Sequence, residues 1–254
     1  MTKIGQYEIM QELGRGDVSI VYLAYDAEAC LEVAVKMICL PESFSEEQKQ
    51  EYRAGFLREA KASLSLDHAG IVTTYDCHDQ GDEGEPYTSM EYVAGRSLKV
   101  LFEGAECREP GDVFVIVEAT TDALHAAHRV GVFHGDVRPA NILVRRRDDA
   151  VKIGDFGIGR FPPAADSAAY MAPECQDGSP ADARSDLFSL AVILYEGLCG
   201  KLPFQGDDAK STMTAVMHSK PDPVTECAPG MPTSVDGFFL RHGDLFPPGE
   251  LHLA

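Results

Sequence analysis

Two short segments bring oxygen-bearing side chains close together along the chain. HGDVRPANIL places Asp136 and Asn141 five residues apart, in a loop between a predicted helix and a predicted strand. KIGDFG places Asp155 in a turn after the next predicted strand. Two carboxylates and an amide around one point suit Mg²⁺ bound to substrate phosphates, and one carboxylate would remain to accept a hydroxyl proton. An Asp-Phe-Gly tripeptide alone is more often only a turn, so the pairing of the two segments carries the prediction.

A glycine turn near the N-terminus suits phosphate binding. In LGRGDVSIVYLAYD, Gly14 and Gly16 separate two strand-like runs, and small residues there let backbone amides approach phosphates. An ordinary hairpin is the plainer interpretation of this turn by itself. Lys36, in VAVK on the next predicted strand, would by itself be a solvated lysine. Because its strand follows the hairpin directly, its ammonium can instead meet phosphate oxygens under the loop.

The elements that must position these residues change character along the chain. Alternation and β-branched residues predict strands in the first third, at 7–13, 20–25, 32–38, 71–77 and 86–93. A helical pattern at 45–66 puts four apolar residues on one side: Phe56, Leu57, Ala60 and Leu64. Later segments predict helices at 112–129 and 184–199, with short strands at 142–144 and 151–153 between them. The shift from strands to helices near residues 92–95 predicts a domain boundary.

Composition excludes some classes of function. The chain of 254 residues has 44% hydrophobic and 25% charged residues, which is typical of a soluble globular protein. Its net charge of −19 argues against a nucleic-acid partner, because phosphate binding needs a basic face. An acidic surface favours basic peptide segments, although solubility or adaptation to salt is the plainer explanation of the charge.

Seven cysteines are scattered along the chain, and no two have a metal-ligand spacing. A reduced, cytoplasmic location explains this usage best. The N-terminal residues lack the apolar stretch of a signal peptide. The longest apolar run, 187–199, is interrupted by Glu196 and is too short to cross a bilayer, so we expect a buried helix and no membrane segment.

The motifs together resemble the eukaryotic-type protein kinase family, in the form common among bacterial serine/threonine kinases. They occur in the family's order from about Tyr7 to about Phe239: the glycine loop, VAVK, a helix with an acidic residue, the hinge, HGDVRPAN, Asp-Phe-Gly, Ala-Pro-Glu and SDLFSLAVILYE. The resemblance implies an α+β, two-lobed fold. A small β-rich N-lobe with one main helix would span 7–92. A larger, mostly helical C-lobe would span 93–254 and be truncated or altered after about 239.

The resemblance also implies a role for individual residues. Asp136 would orient the substrate hydroxyl and accept its proton, assisted by Arg138, which stands where lysine is usual, and by a Lys36–Glu59 pair. Asn141 and Asp155 would hold Mg²⁺. ATP would be bound by ten residues: Leu13, Gly14, Gly16, Val21, Ala34, Lys36, Met90, Glu91, Val93 and Leu143. The implied acceptor is a serine or threonine hydroxyl of a protein.

Several positions depart from the family pattern. Ser19 replaces the third glycine of the loop, and Gly135 replaces the arginine that usually precedes Asp136. Because that arginine reads a phosphate on the activation segment, and because residues 155–174 offer only Ser167 and Tyr170 as hydroxyls, we expect no switching by phosphorylation there. The C-terminal arginine that usually pairs with Glu174 is also missing. A buried, unpaired Glu174 would make the domain only marginally stable.

Three functions remain open from the sequence. An active serine/threonine kinase is favoured because Lys36, Glu59, Asp136, Asn141 and Asp155 are all present. A pseudokinase, which binds nucleotide or acts as a scaffold without useful catalysis, is the alternative that the departures support. A small-molecule phosphotransferase on the same fold is the third. Among the histidines, we expect His134 to pack under the catalytic loop, and His125 and His128 to be ordinary helix residues.

Overall fold

A computed structural model describes residues 3–16, 18–79, 81, 84–104, 106, 109–156, 167–176 and 178–241. The chain divides into two compact units, Met1–Ala94 and Gly95–Ala254, which we call unit 1 and unit 2. The predictions for the glycine of Asp-Phe-Gly (Gly157), for half of the activation segment (157–166 of 155–174) and for the tail beyond residue 241 fall outside the described residues.

Unit 1 is built on a six-stranded antiparallel sheet with the strand order β1-β2-β3-β4-β6-β5. One face of the sheet is closed by an apolar cluster of five residues: Tyr7, Ala24, Val33, Val35 and Tyr87. The five predicted strands are confirmed, and the two-residue β1 is additional because so short a strand leaves no periodic signal. The strands are β1 (Lys3–Ile4), β2 (Tyr7–Arg15), β3 (Ser19–Asp26), β4 (Leu31–Ile38), β5 (Thr74–His78) and β6 (Tyr87–Glu91).

In the described part of unit 1, the α-helix α1 spans Glu46–Ser63 and packs against β5. A capping box starts it, in which the Ser45 hydroxyl accepts from the Gln48 N–H while the Gln48 side chain accepts from the Ser45 N–H. Phe56 and Ala60 are buried, as their spacing predicts. The prediction for Leu64 is wrong: it caps the C-terminus of α1 and is 43% exposed, because the helix ends before the apolar pattern does.

The described part of unit 2 is mostly helical and contains a three-stranded sheet in the order β7-β8-β9. Helix α3 packs against both α4 and β9, which places the loop between α3 and β8 on a buried platform. The predicted helices and strands of this unit are confirmed, and the shorter helices are additional. The elements are β7 (Gly95–Ser97), α2 (Leu98–Glu103), α3 (Pro110–Arg129), β8 (Ile142–Arg145), β9 (Val151–Ile153), α4 (Ala183–Cys199), α5 (Ala209–His218), α6 (Val224–Cys227) and α7 (Ser234–Arg241).

Helix α4 forms the buried centre of unit 2, as its apolar run predicts. Asp182 caps its N-terminus by accepting from the backbone N–H groups of Arg184 and Ser185. Gly200 ends it in the left-handed region, with φ 67°, which glycine adopts without steric cost. Among the described residues, no helix is both long and apolar enough to cross a bilayer.

The structure corrects the expectation of marginal stability from Glu174. This residue is exposed, and its carboxylate accepts a hydrogen bond from the Ser185 hydroxyl at 2.9 Å. An exposed, hydrogen-bonded carboxylate avoids the desolvation cost of a buried charge. Glu174 therefore gives no reason to expect a marginally stable domain.

The cysteines also differ from the sequence-based expectation of reduced thiols throughout. Cys199, at the end of α4, is joined to Cys227, at the end of α6, in a disulfide. Their separation of 28 residues corresponds to no recognisable motif. Four further cysteines of the described chain carry free thiols: Cys30, Cys39, Cys77 and Cys175. Cys107 lies outside the described residues.

Candidate active site

The glycine turn joins β2 to β3 and is closed by a hydrogen bond from the Gly16 N–H to the Ser19 carbonyl, at 2.8 Å. Neither Gly14 nor Gly16 has a positive φ. A Cβ at Gly14 would meet nothing within 4 Å, and one at Gly16 would come no closer than 3.7 Å to the Ser19 carbonyl. The hairpin itself therefore does not require glycine at these positions. Their small size matters for a group that approaches the loop from outside, as a phosphate would.

Four of the predicted nucleotide-binding residues share one face of the sheet in unit 1. Val21 of β3 is paired directly with Lys36 of β4, while Ala34, two residues before Lys36, is paired with Met90 of β6. Directly paired residues, and residues two apart on a strand, project to the same side. Lys36 is only 5% exposed, so its ammonium is held inside the fold and not in bulk solvent. Leu13, at the end of β2, is 41% exposed.

The predicted hinge follows β6. Glu91 is the last residue of β6, and its backbone N–H donates to the Thr73 carbonyl at 2.8 Å, while Val93 is buried. Glu59, the predicted partner of Lys36, lies in α1 and is half-buried beside the buried Ala60.

The predicted catalytic loop is anchored by a residue that sequence reasoning missed. Asp186 of α4 is 1% exposed, and its two carboxylate oxygens accept the backbone N–H groups of His134 and Gly135, each at 2.8 Å. The Nε2–H of His128 also donates to this carboxylate, at 2.7 Å. The prediction that His128 is an ordinary helix residue is therefore wrong. Charge-assisted hydrogen bonds of this kind are about twice as strong as neutral ones.

His134 packs under the loop, as predicted, and its contacts define its tautomer. Its Nδ1 accepts the Asp136 backbone N–H at 3.2 Å, so Nδ1 carries no proton. Its Nε2 lies 3.0 Å from the Gly154 carbonyl, which can only accept, so Nε2 carries the proton. The fully buried ring also packs against Phe156, with the ring centres 4.6 Å apart. His134 thus links Asp136 to the turn that contains Asp155 and has no nitrogen left to act as a base.

The Asp136 carboxylate is oriented by two neighbours. Its Oδ2 lies 3.2 Å from Nε of Arg138 and 3.3 Å from Nδ2 of Asn141. The Asn141 amide also donates to the Asp136 backbone carbonyl at 2.8 Å. Because the Asn141 nitrogen is used in these bonds, its amide oxygen is directed away from Asp136 and keeps its capacity to accept.

The two predicted metal ligands are linked through the backbone. The Gly154 N–H donates to the Asn141 carbonyl at 3.0 Å, and the next residue is Asp155, which is exposed. Asp155 has φ 59°, in the left-handed region, which among residues other than glycine is adopted mainly by asparagine and aspartate. An amide oxygen and one carboxylate are a donor set that fits Mg²⁺, which prefers few protein ligands and completes its shell with phosphates and water. Leu143 lies in β8, half-buried and paired with Lys152.

A cavity of about 840 Å³ adjoins this loop within unit 2. Arg138 and Pro139 form its catalytic-loop side, and its other walls come from α2, the end of α4 and the start of α5. Tyr170, three residues after the buried Ser167, also lines the cavity and donates its hydroxyl to the Glu196 carboxylate at 2.6 Å. Burial raises the pKa of Glu196 above its ordinary value, although the hydrogen bond from Tyr170 and the charge of Lys99 act against that shift.

The loop and its neighbours match a known family along most of the chain. The protein kinase domain family matches residues 7–230. A probable serine/threonine-protein kinase of Clostridium acetobutylicum is 33% identical over 245 residues, which cover 93% of this chain and 36% of that protein. Serine/threonine-protein kinase PrkC of Bacillus subtilis is 31% identical over 246 residues, covering 93% and 37%. The crystal structure of the Mycobacterium tuberculosis PknI kinase domain has a TM-score of 0.74 at 25% identity, covering 94% of this chain and 88% of that one.

Proposed function

Since the chain belongs to the protein kinase family, we propose that it transfers the γ-phosphoryl group of ATP to serine or threonine hydroxyls of a protein substrate. Family membership and the kinase-like α+β fold, both predicted from the motifs, are confirmed. The chain spans little more than a third of the length of the curated relatives that it matches. Substrates and partners of the whole protein therefore belong to the proposal.

The observation that carries the proposal is the orientation of Asp136. Arg138 and Asn141 hold one of its oxygens, and His134 holds its backbone N–H. A carboxylate held in this way can orient an acceptor hydroxyl and take its proton as the phosphoryl group arrives. Catalysis of phosphoryl transfer depends on such positioning and on charge stabilisation more than on covalent chemistry. Arg138 contributes a fixed positive charge next to the position of the reacting hydroxyl.

ATP and Mg²⁺ follow from the family, and the residues present fit both. We assign the nucleotide to the glycine turn, to the face that carries Val21, Ala34, Lys36 and Met90, and to Leu13, Glu91, Val93 and Leu143. In this assignment Lys36, in a pair with Glu59, neutralises phosphate charge. Asn141 and Asp155 would hold Mg²⁺, which supplies positive charge to the phosphates when bound.

Two features support a polypeptide acceptor with basic residues near the phosphorylated hydroxyl. The cavity beside the catalytic loop is large enough for side chains on either side of an acceptor residue. Its acidic lining residues (Glu103, Glu196, Asp207 and Asp208) outnumber the basic ones (Lys99 and Arg138). The net charge of −19 acts in the same direction over a longer range. We place this activity in the cytoplasm, where ATP is available.

Control by phosphorylation of the activation segment is not part of the proposal. Gly135, which has φ 73°, occupies the position where the family usually has an arginine that binds the phosphate of the activation segment. Instead, hydrogen bonds that involve no phosphate join the described part of the segment to α4. The Ser189 hydroxyl donates to the Tyr170 carbonyl at 2.6 Å, and the Tyr170 hydroxyl binds Glu196. These bonds support a domain that is positioned for catalysis without modification.

The test is transfer of labelled γ-phosphate from Mg-ATP to a basic protein and to the chain itself, followed by identification of the labelled amino acid. We expect label on serine or threonine, and peptides with basic residues next to the acceptor should be labelled faster than acidic peptides of equal length. Label on tyrosine alone would contradict the acceptor assignment. Preference for acidic peptides would contradict the role of the acidic cavity.

A further inference from the structure

The disulfide between Cys199 and Cys227 lies at the wall of the cavity beside the catalytic loop. Cys199 lines this cavity and is the last residue of α4. Cys227 is the last residue of α6, and the two Cα atoms are 5.1 Å apart. The bond closes the segment 200–226, which contains α5 and the residues 205–209 that form another wall of the cavity.

Non-covalent contacts already position the two ends of this segment. The Tyr195 hydroxyl donates to the Asp222 carbonyl at 3.1 Å, and Lys201 forms a 2.8 Å ion pair with the Asp222 carboxylate. Thr225 donates to Asp236 of α7 through both its backbone N–H and its hydroxyl. The cysteines are thus held next to each other by the fold, and the fold does not depend on the covalent bond to bring them together.

Both cysteines are half-buried, so a small reagent can reach them. We infer that Cys199 and Cys227 form a reversible redox clamp, which holds the segment 200–226 against the end of α4 when oxidised and loosens it when reduced. The clamp would thereby regulate the docking of a protein substrate at the adjoining cavity. This consequence rests on the proposed kinase function.

Hydrogen peroxide is the simplest oxidant for this step. One thiolate attacks a peroxide oxygen, so that an S–O bond forms, the O–O bond breaks and hydroxide leaves, to become water on protonation. The second thiolate then attacks that sulfur, the S–S bond forms and a second hydroxide leaves as water. Two thiols are oxidised and one peroxide is reduced to two waters. A dithiol reverses the step by thiol–disulfide exchange and is itself oxidised to a disulfide.

The experiment compares the full chain after peroxide treatment and after reduction by a dithiol. Peptide mapping should find Cys199 linked to Cys227 only in the oxidised sample. A cross-link over this separation restricts the unfolded chain, so reduction should lower Tm by about 5–10 °C. Amide hydrogen exchange within 205–218 should become about fivefold faster or more on reduction, while exchange in the sheet of unit 1 stays the same.

Variants assign these effects to the pair. Cys199→Ser and Cys227→Ser should each resemble the reduced wild type under both conditions. Cys30→Ser, which removes an exposed thiol of unit 1, should retain the full redox response. If both serine variants fail to fold, the reduced wild type still supplies the comparison.

In active protein, reduction should raise the KM for a protein substrate about fivefold and leave the KM for ATP within about twofold. The clamp is refuted if the two cysteines stay unlinked after oxidation. It is also refuted if exchange within 205–218 is the same in both redox states, or if Cys199→Ser keeps the redox response. A linked pair with redox-dependent exchange, but no phosphotransfer in either state, would support the clamp and count against the proposed kinase function alone.

Discussion

Replacing Asp186 with asparagine should both destabilise unit 2 and slow catalysis. The buried Asp186 carboxylate accepts from His134 and Gly135 through different oxygens, and from His128 as well. Asparagine keeps one acceptor oxygen, but its amide nitrogen must face one of these donors. At least one bond to a charged group is lost, worth about 1.5–3 kcal/mol, and a buried donor is left unsatisfied. We therefore expect a loss of about 2–4 kcal/mol in the free energy of unfolding.

Urea unfolding followed by circular dichroism measures this loss. Asp222→Asn is the matched control, because Asp222 makes an exposed ion pair with Lys201 and its neutralisation should cost less than about 1 kcal/mol. Phosphotransfer by Asp186→Asn, assayed at a temperature where it stays folded, should be slower, since the backbone before Asp136 is no longer fixed. The reasoning is wrong if Asp186→Asn lies within about 0.5 kcal/mol of the wild type and keeps its kcat.

Substitutions at three further positions test separate parts of the structure. Burial raises the pKa of Glu196 above 4.5, so its charge destabilises the fold increasingly as pH rises through the window between 4.5 and the raised value. Glu196→Gln should therefore gain stability relative to the wild type with rising pH in urea titrations, and a pH-independent difference would contradict this. Asp182→Ala removes the cap of α4 and should cost about 1 kcal/mol in the same assay, whereas Asp182→Ser should restore most of it. In Gly95→Ala, the new Cβ would overlap the Val144 carbonyl, with its carbon only 2.8 Å away, so we expect a loss of about 1–3 kcal/mol; an unchanged midpoint would show that β7 can move away from β8.

Local pattern was enough to predict most of the regular elements. The strands of unit 1 and the helices α3 and α4 are long enough for their apolar residues to form a recognisable pattern. The short elements could not be predicted in this way, because β1 has two residues and α6 has four. For Leu64 the pattern predicted too much structure, because this apolar residue extends the helical pattern beyond Ser63, where α1 ends.

The candidate site was predictable where its residues fall into a local motif. Asp136, Asn141 and Asp155 occur within 20 residues, and the structure links them through His134 and the Gly154 N–H. Asp186 was missed because it lies 52 residues after His134, and only the packing of α3 on α4 brings it under the loop. Because Asp186 directly precedes an apolar run, the sequence alone suggests only a polar residue in the first turn of a buried helix.

The pairing of Cys199 with Cys227 escaped prediction for a related reason. Nothing in a spacing of 28 residues distinguishes this pair from the other cysteines, and the ends of α4 and α6 meet only in the folded unit. The error over Glu174 had another origin, since the sequence does not indicate that the Ser185 hydroxyl donates a hydrogen bond to the Glu174 carboxylate.

The most direct test of the kinase assignment compares the wild type with Asp136→Asn in two measurements on the same samples. These are the rate of labelled phosphate transfer to a basic protein and the affinity for Mg-ATP. Asp149→Asn, an exposed substitution in the turn between β8 and β9, controls for the change in charge. We predict that Asp136→Asn transfers phosphate about 100-fold more slowly or worse, with nucleotide affinity unchanged within about twofold, because only proton acceptance and orientation are lost. Equal transfer by wild type and Asp136→Asn, or ATP binding by a folded wild type that transfers nothing, would contradict the account.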